Sequence, residues 1–264
     1  MKALLLVLLL GVQDTAPGGL AIERSVKRTT LDSLGRRTEI QRKELLLVKG
    51  SNLALIDLTF GERLIIRPDL KKVWKADSLA GTYAEFSYDE LAALRKAAFD
   101  EIRAAKARVP GTTDEKELEA ILEGFDQFAA APQAELKVAG TQREVIVNGD
   151  RVRVSVQVNE QIKNPGWIEA LASVGAFHPA VAEKLHGLGG LPTKGTMRYT
   201  MFLDRIVEQF ETTSAQPREI ADAEFELPKG LLRAPLKGLE RAAEPQFPKP
   251  PVLKREAPTD KKGN

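Results

Sequence analysis

The stretch from Glu144 to Val158 leaves this chain little choice but an antiparallel sheet. Val152, Val154, Val156 and Val158 alternate with Arg153, Ser155 and Gln157. Successive side chains of a strand point to opposite faces, so one face of this segment is buried and the other solvated. Asn148-Gly149, just ahead of it, supplies the residue types that accept the two positive φ values of a type I′ turn. The predicted unit is a hairpin between Glu144 to Val147 and Arg151 to Val158.

Similar punctuation runs through the N-terminal third. From Ala21 to about Lys75, Leu34-Gly35, Gly50-Ser51-Asn52, Gly61-Glu62 and Pro68-Asp69 interrupt segments rich in Leu, Ile, Val and Thr. That pattern predicts a meander of four or five antiparallel strands. Ile22 to Thr30 and Arg37 to Gln41 are polar enough to leave one face wet. Leu53, Leu55, Leu64, Ile66 and Trp74 are expected to cover the other. Two more strands are expected at Thr196 to Leu203 and Arg205 to Thr212.

The middle of the chain changes period. Ser87-Tyr88-Asp89-Glu90 is a capping box, flanked by Phe86 and Leu91 as a hydrophobic staple. Leu91, Leu94, Ala98, Ile102 and Ala105 fall on one face of the helix that follows, with Arg95, Lys96, Asp100, Arg103 and Lys106 on the others. Val109-Pro110-Gly111 ends it. Thr112 and Glu115 start a second helix that buries Leu118, Ile121, Leu122, Phe125 and Ala129. The pair forms a helical insertion over residues 87–130, serving either as a lid over an apolar sheet or as half of an ordinary core. After Asn164-Pro165-Gly166, one or two short helices are expected between Trp167 and Leu188.

Met1-Lys2 followed by an uncharged, Leu-rich run to Val12 resembles a secretory signal peptide, too short to span a bilayer. Residues 1–18 are assigned to it, which places the mature protein in the periplasm or outside the cell; the alternative is an apolar first strand. After Phe225-Glu226-Leu227-Pro228 the apolar pattern gives way to prolines with scattered Lys and Arg. Residues 231–264 are therefore expected to be a disordered tail, either a solvated linker or a weak basic contact with an anionic envelope surface. The sheet domain is expected to occupy residues 19–230.

The formal net charge of +2, from 39 basic and 37 acidic side chains, provides no global field for nucleic acid. Zero cysteines exclude a lipidated N-terminal Cys and a disulfide framework. His178 and His186, two turns apart, cannot share one metal on a straight helix. Glu183 beside them would need carboxylates from other helices. Gly187-Leu188-Gly189-Gly190 suits a helix end and a turn better than a phosphate cradle. No nucleotide loop or nucleophile elbow occurs. Asp114-Glu115 and Asp222 with Glu224 read as solvated acidic pairs. No catalytic residue, metal site or cofactor is assigned, and the protein is read as non-enzymatic.

The order of Ile65-Ile66-Arg67-Pro68-Asp69, Lys71-Lys72-Val73-Trp74, the Thr141 to Gly149 segment, Gly190-Leu191-Pro192 and Phe225-Glu226-Leu227-Pro228-Lys229-Gly230 resembles the LolA-like superfamily of periplasmic half-barrels. The likeness covers residues 21–230 and points to an uncharacterised secreted branch. It implies an α+β fold, a curved antiparallel sheet with the helical hairpin and short helices on its concave face. It also implies a carrier of a lipid, a lipoprotein acyl chain or another hydrophobic ligand. Leu64, Ile66, Trp74, Leu94, Ile102, Leu122, Phe125, Val154, Val156 and Met201 are the expected lining. The alternative is an envelope sensor or scaffold that makes contacts through its sheet face or basic tail, and no span remains after signal cleavage.

Overall fold

Twelve strands form one open sheet in the order β12-β6-β5-β4-β3-β2-β1-β11-β10-β9-β8-β7, which does not close into a barrel. This computed structural model describes residues 18–32, 34–162, 166–201 and 204–234, apart from the side chains of Thr200 and Met201. The expected signal run, Asn164 and Pro165, and most of the expected tail lie outside the described residues.

The N-terminal meander holds six strands: β1 (Leu20–Leu31), β2 (Arg37–Lys49), β3 (Asn52–Asp57), β4 (Glu62–Arg67), β5 (Lys72–Asp77) and β6 (Thr82–Ser87). Each interruption seen in the sequence is a turn between them. At Pro68–Leu70 the turn is a short 3-10 segment, with the Lys71 amide donating to the Pro68 carbonyl. The C-terminal half supplies β7 (Ala134–Ala139), β8 (Gln142–Val147), β9 (Val152–Asn159), β10 (Leu191–Met201) and β11 (Asp204–Pro217). Pairing of β11 with β1 joins the halves through the two long central strands. β12 (Leu232–Arg233) pairs in parallel with β6, so the assignment of residues 231–264 to a tail begins too early.

The β8–β9 connection corrects one expectation. Asn148 and Gly149 do take positive φ, 50° and 66°. Val147 nevertheless pairs with Val152, so the loop has four residues rather than the two of a type I′ hairpin. Asn148 explains the difference, because its amide nitrogen donates to the Glu123 carbonyl and its Oδ1 accepts from Gln133 N–H. The turn is thereby shaped by the segment that precedes β7.

Four helices lie on one face: α1 (Tyr88–Lys106), α2 (Thr113–Leu122), α3 (Trp167–Ser173) and α4 (Pro179–His186). The predicted capping box starts α1, with the Ser87 side chain accepting from Glu90 N–H and Glu90 accepting from Ser87 N–H. Thr112 caps α2, which stops at Leu122 rather than continuing to Ala129. α3 packs on β3 and β4, and α4 on β7 and β8. They close over Ile22, Leu46, Leu53, Ile66, Val154 and Val156 with Trp167, Ile168, Leu171, Leu185 and Leu188, all nearly inaccessible to solvent. Each fully buried side chain of this kind contributes about 1.5–3 kcal/mol. Gly195 on β10 belongs to the same surface, since a Cβ there would fall 2.6 Å from the Phe210 ring and 2.7 Å from Val156.

The outer face has its own, smaller core. Ala21, Leu47, Ala54, Ile65 and Trp74 are covered by Ile220 and Phe225. The strap that carries these two is pinned by Lys49 to the Ile220 carbonyl and Asp222, and by Arg63 to Glu224. Asp222 and Glu224 keep solvent-accessible side chains, as the sequence suggests, and also pair with Lys49 and Arg63.

Candidate functional site

The helical face is not uniformly apolar. Ile22, Arg24, Val26, Arg28 and Thr30 of β1 share it with Leu46, Glu44, Arg42, Ile40 and Thr38 of β2, each opposite its partner in that order. Toward one end of the pair lies the dry core under α3 and α4. Toward the β1–β2 hairpin, charge takes over. Arg24 Nε donates to Glu44 at 2.5 Å, both side chains being 1% exposed, and Arg42 approaches Glu44 at 2.6 Å. Arg28 donates to Glu208 on β11, which also accepts from the Tyr199 hydroxyl at 3.2 Å. Burial, followed by Glu208, raises the Tyr199 pKa, while Arg28 and Arg42 act in the opposite sense. Tyr199 therefore remains a neutral donor. The expected wet face of Ile22 to Thr30 holds for Glu23 and Ser25, which are exposed, whereas Arg24 on the opposite face is buried by pairing across strands.

Phe125 links this charged zone to the helices. Its ring stands edge-on to Tyr199 at 6.3 Å and tilted to Phe177 at 6.5 Å. The Phe125 carbonyl accepts from His178 N–H at 2.7 Å. Phe125 itself is only half-buried, and no residue of α2 is buried. Leu118, Ile121 and Leu122 thus keep their apolar stripe partly open, with α2 resting beside β10.

The packed face of α1 differs from the expected one. Leu94 is 46% exposed, whereas Arg95 and Phe99 are buried. Arg95 Nη1 donates to the Val174 carbonyl at 2.7 Å, at the C-terminal end of α3, and lies 3.7 Å from Asp126. A cation at that position meets unsatisfied helix carbonyls. Burial lowers the Arg95 pKa, partly opposed by Asp126; burial raises that of Asp126, partly opposed by Arg95.

Of the expected lining, Leu64, Ile66, Val154 and Val156 lie in the sealed helical-face core, and Phe125 packs against it. Ile102 and Leu122 are half-buried. Trp74 is a correction: it follows Val73 by one residue, so it faces the outer core, donating from Nε1 to Glu85 at 2.7 Å. The Met201 side chain lies outside those described. An open depression of about 570 Å³ between the loop after α2 and the α3–α4 pair is bordered by Gln127, Phe177, Pro179 and His186, and by none of the expected lining residues.

His178 caps α4, its Nδ1 accepting from Ala180 N–H at 3.2 Å. His186 Nδ1 lies 3.5 Å from Glu169. Among the described residues, no group of three or more His, Cys, Asp or Glu could hold a metal, and no helix is long and apolar enough to cross a membrane. The buried charge cluster is the feature that sequence reasoning missed. The charges themselves are visible in the sequence, but their pairing across strands is not.

No protein-family model and no curated protein sequence matches the chain. Solved structures do. An uncharacterized conserved protein from Thermus thermophilus is 6% identical, with a TM-score of 0.38, over 88% of this chain and 97% of its own. The LolA superfamily protein NE2245 from Nitrosomonas europaea is 10% identical, with a TM-score of 0.33, over 86% and 97%. PNGF-II is 12% identical, with a TM-score of 0.32, over 84% of this chain and 32% of its own. These are remote likenesses of architecture, and the functional reading rests on this chain's own residues.

Proposed function

We propose that the protein is an exported, non-enzymatic binding protein that holds an apolar chain between the α1–α2 hairpin and the sheet. The observation that carries this reading is the half-buried stripe of Leu118, Ile121, Leu122 and Phe125, beside a sheet whose other half is closed by α3 and α4. Apolar groups left partly wet gain from a ligand that removes them from water, by about 25 cal/mol per Å². Ile102, Leu122 and Phe125 would form the movable wall. Leu64, Ile66, Val154 and Val156 would be the fixed core behind it.

The test is mass spectrometry of lipids extracted from the purified full-length chain, alongside displacement of a fluorescent fatty acid analogue. A bound apolar species, and a several-fold weaker affinity in Phe125→Ala, are expected. A chain that carries nothing and binds no analogue overturns the reading.

Contact with an envelope partner is a second reading, favoured by Leu34, Leu58, Phe60 and Leu79, all exposed. They occupy the β1–β2, β3–β4 and β5–β6 turns, which alternate pairing puts at one end of the sheet. Replacing all four by Ser should abolish association with vesicles or envelope extracts if this end docks; unchanged association removes the reading.

A further inference from the structure

The charge cluster on the helical face leaves buried guanidinium nitrogens without a hydrogen-bond partner. Arg24, Arg28 and Arg42 meet two carboxylates, Glu44 and Glu208. Among the described residues, Arg28 pairs with Glu208 and Arg42 with Glu44, a carboxylate that Arg42 shares with Arg24. Three nitrogens of Arg28 and Arg42 are buried without a hydrogen bond: Arg28 Nη2, Arg42 Nη2 and Arg42 Nε, the last of which nevertheless lies 2.6 Å from Glu44. Buried donors and buried charge are costly unless matched, and proteins seldom leave them so without a functional reason.

Their position is informative. Arg28 pairs with Ile40 and Arg42 with Val26, so the two guanidinium groups start from diagonal positions of adjacent strands, and Tyr199 lies within the electrostatic reach of both. Ile40 beside them is 39% exposed, whereas Arg24 and Glu44, one step inward, are almost wholly enclosed. The two arginines therefore stand where the covered face gives way to solvent. Phe125, at the end of the apolar stripe, packs on the Tyr199 ring, whose hydroxyl donates to Glu208, the partner of Arg28. A planar guanidinium fork fits a carboxylate or phosphate through two hydrogen bonds, which a lysine in its place would not reproduce.

We propose that Arg28 and Arg42 form an anion site that takes the acidic end group, a carboxylate or phosphate, of an amphiphile whose apolar chain lies along the α1–α2 hairpin. The proposal rests on the binding function put forward above and names its ligand class. Arg24 is held by Glu44 and belongs to the support of the site. Tyr199, neutral and donating to Glu208, keeps that carboxylate turned toward Arg28.

The experiment uses the delipidated full-length chain and four probes: dodecanoate, dodecyl phosphate, dodecan-1-ol and inorganic phosphate. The acids should bind at least about tenfold more tightly than the alcohol, the scale of one charge-assisted hydrogen bond. Arg28→Gln with Arg42→Gln should remove that preference and leave dodecan-1-ol affinity unchanged. Equal affinity of the unaltered chain for acid and alcohol overturns the anion site without any variant, while the apolar-chain reading survives. Arginine-dependent binding of inorganic phosphate, with no affinity for dodecan-1-ol, supports the anion site and overturns the apolar-chain reading. Binding of none of the four overturns both.

Discussion

The two helical pairs cover the same sheet in opposite ways. α3 and α4 are short, seven and eight residues, yet bury Trp167, Ile168, Leu171, Val181 and Leu185. α1 and α2 are longer, nineteen and ten residues, yet α2 buries nothing and α1 buries only Arg95 and Phe99. Length and local capping therefore do not decide where stability resides. The short pair depends on tertiary packing, as isolated helices of that length do not persist in water. The long pair has strong start signals and weak seating.

The sharpest way to break this comparison is a matched pair of truncations. Leu171→Ala should lower the unfolding free energy by about 3–4 kcal/mol, since the site is fully buried and a cavity remains. Leu122→Ala, at a half-buried position, should lower it by less than about 1.5 kcal/mol. Urea denaturation followed by circular dichroism measures both. Equal losses would mean that the two pairs are seated alike.

Arg95 is the exception within the loosely seated pair. Arg95→Ala should cost about 2 kcal/mol, below the full value for a broken buried ion pair, because Asp126 keeps some exposure and lies 3.7 Å away. The pH dependence follows from Asp126. Its pKa is raised in the folded protein, so folding takes up protons there. The stability linked to this group is fully present below the unfolded value of 3.8 and is lost as pH rises through the folded value. Without Arg95 the carboxyl rises further, so the variant should lose more stability at pH 7 than at pH 4. Adding Asp126→Asn should restore part of the loss at pH 7. A deficit independent of pH would show that only the Val174 hydrogen bond matters.

These cases show what a sequence can disclose. The strand punctuation and the Ser87 capping box are local, encoded within four residues, and both are legible. The burial of Arg24 with Glu44 is not, since they are 20 residues apart and meet only once β1 and β2 pair in register. Arg95 misleads for a related reason. Hydropathy places Leu94 inward, but the Val174 carbonyl, 79 residues away, offers Arg95 a partner that no periodicity reveals. Trp74 reads as one of an apolar set until its strand position is counted against Val73. The strap carrying Ile220 and Phe225, which gives Trp74 its cover, has no periodic signal of its own.

The smallest effect compares the two tryptophans, Trp167 in the dry layer and Trp74 on the outer face. Trp74 donates to Glu85, and that hydrogen bond, with Lys72 assisting, holds the Glu85 pKa below 4.5. A depressed carboxylate contributes stability above its unfolded value, and this contribution disappears as pH falls through the folded one. In Trp167→Phe, Trp74 emission should therefore titrate once, with a midpoint below 4.5, while far-ultraviolet circular dichroism is still constant. In Trp74→Phe, Trp167 emission should stay level over that interval, because no titrating group is bonded to its ring nitrogen, which is buried with no acceptor. If Trp167 titrated alongside, protons would be reaching the layer beneath α3 and α4. The contrast between a closed and an open half of the helical face would then be lost.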